Sequence, residues 1–490
     1  MNDAHLEQLS KPELIALVKQ LFQRLEQAER RIAELEAQVT ALRGEVVQLK
    51  AENARLKKDS SNSSKPPSSD IVKPPPSLPR GKRKGKGKRR IGGQPGHPKY
   101  ERTPFPPERL DAVWEYTLEG CPDCGATLHN APRPARVVQQ MELVDKPVRI
   151  EEHRALTYWC PHCRRHHEAT LPSEVSKAGL GGPRLTAQVA YLKSVCHASY
   201  TTIQTYLRDV LKVKLSTGQL VRLINKVSAA LQEPYDQLRA MLPQQKRVNT
   251  DETGHQERKK RLWTWCFRSE LFTLFRIDPS RGSDVLIEML GKAFAGVIGA
   301  DYFSAYRKYM RDFNVMVQFC LAHLIRDVKF LTTLSDRVTK RYGERLLEQL
   351  RSLFRIIHRR ESMKSTTFER ALQRARQNIL QVAKRPPPRI EAQNIADRFR
   401  QHGHAYFQFI TTPGIEPTNN LAERAIRFVV IDRKVTQGTR GDAGRRWCER
   451  IWTTIASCGQ QGRSVFEFLE RAVHAHFARR PIPSLLCRSP

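Results

Sequence analysis

From Leu14 to Leu56 apolar positions recur at alternating spacings of four and three residues, and the seam they draw is a heptad repeat. Val18, Leu25, Ile32, Val39, Val46 and Asn53 take the a positions; Leu14, Leu21, Ala28, Leu35, Leu42, Leu49 and Leu56 take d. β-branched residues at a with Leu at d favour a parallel two-stranded coiled coil, and a lone Asn at a fixes register. The competing reading is a helix packed on the chain's own core. Gly44 lies off the seam and weakens the helix by about 1 kcal/mol, too little to end it. Farther on, Leu185 to Leu231 keeps a three-and-four spacing and reads as all helical. Two helices, about Thr201 to Leu211 and Thr217 to Leu231, joined by Lys212 to Ser216 with Ser216 as N-cap, suit either a helix-turn-helix or a plain bundle. After Pro243 the period changes. Arg247 to Asp251, Leu262 to Phe267 and Leu271 to Ile277 read as strands, Ser283 to Phe294 as a helix, then Ala295 to Ala300 and Val315 to Leu321 as strands, with a helix from Ala322. Three strands, helix, strand, strand, helix is the order of a ribonuclease-H-like fold. A long helical basic stretch, Thr332 to Phe409, interrupted at Pro386 to Pro388, then inserts before a helix beginning in Pro417-Thr-Asn-Asn.

Between these regions the composition changes. Asp59 to Pro79 is rich in Ser and Pro and reads as a linker, because it has little apolar surface to bury. Arg80 to Arg90 follows with eight cations, among them Lys82, Arg83, Lys84, Lys86, Lys88, Arg89 and Arg90, and no acid. It is either a solvated run or a flexible arm on phosphates, where each neutralised phosphate releases counterions. Cys121-Pro-Asp-Cys124 and Cys160-Pro-His-Cys163, separated by strand-like stretches Arg136 to Val144 and Val148 to Trp159, supply four thiolates, as one structural Zn²⁺ requires. His166 and His167 are substitute ligands of lower rank, and the remaining cysteines read as inert thiols.

Charge narrows the function. The 490 residues hold 84 Lys+Arg against 50 Asp+Glu, a net +34. An excess of that size expects a polyanionic partner, which a small acidic substrate would not need. No apolar stretch approaches the ~18 residues of a membrane span, and the first residues lack the apolar core of a secretory signal. The expected setting is therefore the cytosol, with DNA as the polyanion and no membrane partner.

Three acids then become candidates for chemistry. Asp251 and Asp301 fall at the ends of the first and fourth strands, and Glu423 falls near the start of the late helix. Alone, each has a structural reading: a strand-end turn for either Asp, and for Glu423 a capping box from an N-cap at Asn420 or an i,i+4 pair with Arg427. Together they supply the hard oxygens that two Mg²⁺ (or Mn²⁺) ions roughly 4 Å apart need in phosphodiester chemistry. Glu252 should face away from its neighbour Asp251. His323 reads equally as a packed residue or a ligand-positioning one. Arg424, Arg427, Arg433, Lys434, Arg440, Arg445 and Arg446 form either a basic wall for DNA or a solvated face. Trp263 and Trp265 read as core or sheet-face aromatics.

The motifs resemble the insertion sequence sixty-six type of bacterial transposases. They are Ser60-Ser-Asn-Ser-Ser-Lys-Pro-Pro67, Gly92-Gly-Gln-Pro-Gly-His97, the double C-x-x-C, Asp251-Glu-Thr253, Asp301-Tyr-Phe-Ser-Ala-Tyr306, Cys320-Leu-Ala-His323 and Glu416-Pro-Thr-Asn-Asn-Leu-Ala-Glu-Arg424. Two departures are Tyr302, where that family commonly has Gly, and Leu321, where an aromatic is usual. The resemblance implies a DDE transposase with Asp251, Asp301 and Glu423 as catalytic, magnesium-binding carboxylates. It would cut and join element ends on double-stranded DNA as a homodimer or higher oligomer, with companion proteins as further candidates. The rival is a non-catalytic dimeric DNA-binding protein derived from a transposase. The expected organisation is a multidomain α/β chain: coiled coil 1–58, linker and basic arm 59–104, zinc-binding module 105–176, helical DNA-binding domain 177–243, catalytic domain 244–460 with an insertion at about 332–410, and a helical tail 461–490.

Overall fold

The computed structural model describes residues 10–56, 106–109, 113, 123, 148–160 and 165–486. It divides into two compact units: one holds the described residues among 1–74, 170–203 and 217–490, the other those among 75–169 and 204–216.

The first unit begins with helix α1 (Lys11–Leu56), continuous through the heptads and through Gly44. Its seam faces solvent: Val18, Leu21, Leu25, Ile32, Leu35, Val39, Leu42, Val46 and Leu49 are each 45–59% exposed. The packed-on-its-own-core alternative is therefore not what α1 adopts.

In the second unit β1 (Thr157–Cys160) and β2 (Arg165–Glu168) pair antiparallel, with Cys160 opposite Arg165. Cys160, the first residue of the second C-x-x-C, closes β1. Strand structure starts at Thr157, later than the sequence pattern suggested, since 148–156 is not strand. Arg136 to Val144, Cys121, Cys124 and Cys163, and the arm from Lys82 to Arg90, lie outside the described residues.

Along the first unit follow α2 (Ser173–Ala178) and α3 (Pro183–Ser194); α4 (Tyr200–Asp209) passes into the second unit, and α5 (Thr217–Ala230) and α6 (Gln232–Met241) return to the first. Helix α4 stops two residues before the expected Leu211. Val213 N–H donates to Leu207 O and Lys212 takes a φ of 58°, which turns the chain away from the helix axis.

A five-stranded mixed sheet carries the rest of the first unit. Its strands are β3 (Arg247–Glu257), β4 (Lys260–Arg268), β5 (Thr273–Asp278), β6 (Val297–Ala300) and β7 (Met316–Phe319), in the order β5-β4-β3-β6-β7. The β3–β4–β5 meander is antiparallel; β6 and β7 add in parallel beside β3. Helix α7 (Ser283–Leu290) links β5 to β6 and α8 (Ser304–Phe313) links β6 to β7, as parallel neighbours require. Strand β4 lies between β5 and β3, and its Trp265, Cys266 and Phe267 are fully buried.

Helix α9 (Leu321–Leu331) runs out of β7 into a helical insertion, α10 (Arg337–Ile357), α11 (Ser365–Ala383), α12 (Ile390–His402) and α13 (Gln408–Thr411). The break between Ala383 and Ile390 falls where Pro386 to Pro388 remove backbone donors. The chain returns as α14 (Asn420–Thr436), α15 (Asp442–Gln460) and α16 (Val465–Phe477). Glu449, Thr453 and Ser457, one turn apart on α15, accept the N–H groups of Ile277, Phe275 and Thr273 at 2.7, 3.0 and 3.1 Å. A helix so covers the outer edge of β5, whose donors would otherwise recruit another strand. No helix among the described residues is long and apolar enough to cross a membrane.

Candidate active site

Strand β3 runs beside β6 only from Arg247 to Asn249 and beyond that pairs with β4 alone. Asp251, expected at the strand's end, is therefore mid-strand, six residues before the observed end at Glu257, yet it sits where the parallel partner has stopped. Asp301 is the first residue after β6. Both acids border the notch outside the carboxyl ends of parallel strands, where a diverging sheet leaves room for a ligand. Each is tied down locally: Asp251 Oδ1 accepts Glu252 N–H at 3.0 Å and Asp301 Oδ1 accepts Phe303 N–H at 2.9 Å.

The pleat separates Asp251 from Glu252. Asp251 and Thr253 share a face with α14, whose Arg433 donates to Thr253 Oγ1 at 3.1 Å. Glu252, 2% exposed in its side chain, turns the other way and accepts from Arg281 at 2.7 Å and from Tyr306 Oη at 2.6 Å. Arg281 in turn lies 4.4 Å from the Trp263 ring centroid and 3.9 Å from that of Phe303.

Asn419 delivers the third acid. Only 1% exposed, it donates from Nδ2 to Thr250 O at 2.6 Å and accepts at Oδ1 from Asn249 Nδ2 at 2.9 Å. Its own N–H donates to Cys320 Sγ at 3.2 Å, while Leu321 N–H donates to Pro417 O at 2.9 Å. The Pro417-Thr-Asn-Asn segment thereby fastens the start of α14 to β3 one residue before Asp251 and to the β7–α9 junction. Helix α14 starts at Asn420, so Asn419 is the N-cap, one residue earlier than the sequence suggested, and it makes no side-chain cap bond because its amide bridges strands instead. Glu423 does not close a capping box. Its Oε1 lies 3.5 Å from His323 Nδ1 and 3.5 Å from Arg326 Nη2, both on α9.

The electrostatics follow. Burial, and then the negative charges of Glu252, Asp301 and Glu423, push the Asp251 carboxyl well above the usual carboxylate range. Burial and Asp301 push Glu252 up to about 7 despite Arg281 and Tyr306. Burial also raises Asp301, against the pull of His323 and Arg281. Acids this close and this poorly hydrated repel one another, and carboxylate oxygens are what a hard divalent cation requires, so the donor set fits Mg²⁺ or Mn²⁺. Among the described residues, the metal-capable side chains within 4.8 Å of one another are Cys320, His323 and Glu423. Asp251, Asp301 and Glu423 do not together form such a group.

The basic residues divide. Arg424, Arg427, Lys434, Arg440 and Arg446 are exposed. Arg433 is committed to Thr253, and Arg445 pairs with Glu257 at 3.1 Å and with Asp442. Trp265 is core, whereas Trp263 is only half-buried beside Arg261 and Arg281. Sequence reasoning passed over Asn249, Asn419, Arg281, Tyr306 and Arg326. The pair of amides Asn419 and Asn420 ahead of a helix is the signal for Asn419; for the others the partners are distant in the chain and no local pattern marks them.

Residues 178–446 match the model of the Transposase IS66 family, a span containing all three acids, and residues 1–103 match a family of unknown function (DUF6444). The chain is also 24% identical over 341 residues to the uncharacterized protein y4qI of Sinorhizobium fredii (strain NBRC 101917 / NGR234), covering 62% of this chain. It spans 61% of that relative's length.

Proposed function

The chain belongs to the transposase IS66 family, and we propose that it is a DDE transposase that cuts the ends of a mobile DNA element and joins them to target DNA. The observation that carries this reading is the delivery of Glu423 by Asn419 to the notch beside Asp251 and Asp301. The strand order, an antiparallel meander whose first strand is followed on its other side by two parallel strands, supports a ribonuclease-H-like catalytic domain over 244–460. Asp251, Asp301 and Glu423 would hold two divalent cations. When bound, such cations supply a deprotonated attacking oxygen at neutral pH and offset charge on the leaving oxygen. The chain's part is geometric. Asp301 and Asp251 are fixed by backbone N–H groups, Asn419 sets the height of Glu423, and Arg326 places a cation within reach of a scissile phosphate. Arg424 and Arg427, exposed on α14, and the arm from Lys82 to Arg90 suit backbone phosphates along the duplex. The double C-x-x-C is read as one structural zinc site, supported by the hairpin that follows Cys160.

The non-catalytic rival separates in one assay. Incubated with element-end DNA and Mg²⁺, the protein is expected to release 3′-hydroxyl ends and join them to a target. Binding without nicking, with companion proteins supplied, would favour the rival.

The open heptad seam supports a dimer through α1, since nine large apolar side chains otherwise face water. A peptide of residues 11–56 is expected to sediment as a dimer, and Asn53→Val to broaden its oligomer distribution. A monomeric, unfolded peptide at high micromolar concentration would reject the dimer.

A further inference from the structure

We infer that His323 is a direct nitrogen ligand of the cation seated at Glu423, which makes that position favour Mn²⁺ over Mg²⁺. The inference rests on the reading that Asp251, Asp301 and Glu423 hold divalent cations, and it adds a donor that the three-carboxylate scheme leaves out.

Three observations converge on the imidazole. His323 Nδ1 is buried and has no hydrogen-bond partner, although a buried polar atom without one costs about 1–3 kcal/mol. The same atom lies 3.5 Å from Glu423 Oε1. Two donors at right angles around one ion, each ~2.1 Å from it, are separated by ~3 Å, so this pair is close to a ligand spacing without rearrangement. Finally, Cys320, His323 and Glu423 are mutually within 4.8 Å.

Within that trio the sulfur is already engaged. Cys320 is 2% exposed, and its Sγ accepts the Asn419 N–H that anchors α14. Taking it as a ligand would loosen the segment that positions Glu423. The imidazole makes no such bond at Nδ1. Arg326 Nη2, 3.5 Å from the same Glu423 oxygen, supplies positive charge where the ion would sit and would swing toward a DNA phosphate once the ion is bound. Backbone geometry favours the assignment too. Cys320 N–H donates to Ala300 O at 2.8 Å, so the start of α9, with His323 in its first turn, is locked to the end of β6 one residue before Asp301.

A nitrogen donor changes metal preference. Mg²⁺ demands oxygen ligands in a tight octahedron, whereas imidazole suits the transition metals. The site should therefore discriminate between Mn²⁺ and Mg²⁺ in a way that carboxylates alone would not.

The test uses the full chain loaded with Mn²⁺ and pulsed electron paramagnetic resonance. Wild type is expected to show ¹⁴N modulation that becomes ¹⁵N modulation when the protein is grown with ¹⁵N-histidine, a result that needs no mutation. His323→Ala is expected to lose the modulation and to bind Mn²⁺ at least ~10-fold more weakly, the lower end of what even an outer partner of a ligand contributes. Its Mg²⁺ affinity should move less than about 3-fold on the same scale. A histidine that only packs would change neither the modulation nor the Mn²⁺/Mg²⁺ ratio. Mn²⁺ bound in a manner that Asp251→Asn weakens, but without nitrogen modulation, would overturn the His323 assignment while leaving the carboxylate site standing. Failure of wild type to bind Mn²⁺, or binding indifferent to Asp251→Asn, would overturn both.

Discussion

Asp251→Asn is expected to reduce end cleavage and strand transfer by at least ~1,000-fold, the scale on which one preorganised electrostatic partner acts, while making the metal-free protein more stable. Both effects have one cause. Asp251 sits where burial and the charges of Glu252, Asp301 and Glu423 all oppose its ionisation. A carboxyl raised in the folded state favours folding fully below its unfolded pKa, and that contribution is lost as pH rises through the folded value. At pH 8 without metal, well above the value of an unfolded aspartate, Asp251 therefore weakens the fold. Asn keeps the size and can still accept Glu252 N–H, but carries no charge. The melting temperature of metal-free Asp251→Asn should exceed that of wild type at pH 8, and the gain should shrink toward pH 5. Melting curves at the two pH values, with EDTA present, check this. A variant that melts below wild type at pH 8 would show that Asp251 is held by favourable contacts and is not a repelled ligand.

Asn419→Ala is expected to have the second largest effect, and it falls on stability and turnover together. Removing the amide leaves the Thr250 carbonyl and the Asn249 amide without their bonds in a buried place. The buried loss costs about 1–3 kcal/mol and the part-buried Asn249 bond less, so a destabilisation of about 2–4 kcal/mol is expected. Freed from β3, the first turn of α14 would shift Glu423, and a displacement of ~1 Å can cost about 100-fold in rate. Chemical denaturation and the cleavage assay together test it. Near-normal stability with near-normal cutting would mean that Asn419 does not set the position of Glu423.

The periodicities of the sequence carried much of this architecture. The heptads from Leu14 became one continuous helix, and strand order from Arg247 onward emerged with boundaries shifted by a few residues, because apolar alternation marks which face is buried and not where pairing stops. That limit explains Asp251. Its strand continues to Glu257 through pairing with β4, and the notch arises from the earlier departure of β6, a property of two strands 50 residues apart. The same limit hid Asn419. The neighbouring Asn420, three residues ahead of Glu423, reads as the helix cap, the local use of an Asn amide; the bridge from Asn419 to Thr250 and Asn249 depends on partners 169 and 170 residues away. Glu252 shows the converse, since the two-residue period of a strand sufficed to turn it away from Asp251, although only the fold reveals Arg281 and Tyr306 as its partners.

Glu423 carries the sharpest contrast between the structural and the catalytic reading, for its weak 3.5 Å contacts to His323 and Arg326 contribute little to folding. The direct measurement is strand transfer of element-end DNA with Mg²⁺ or Mn²⁺ by wild type and Glu423→Gln side by side, with a melting curve for each. In the catalytic reading the variant binds the ends and melts within ~1 kcal/mol of wild type, the range of a surface ion pair, yet releases no 3′-hydroxyl ends and forms no joined product. Wild-type levels of cutting and joining by Glu423→Gln would contradict it.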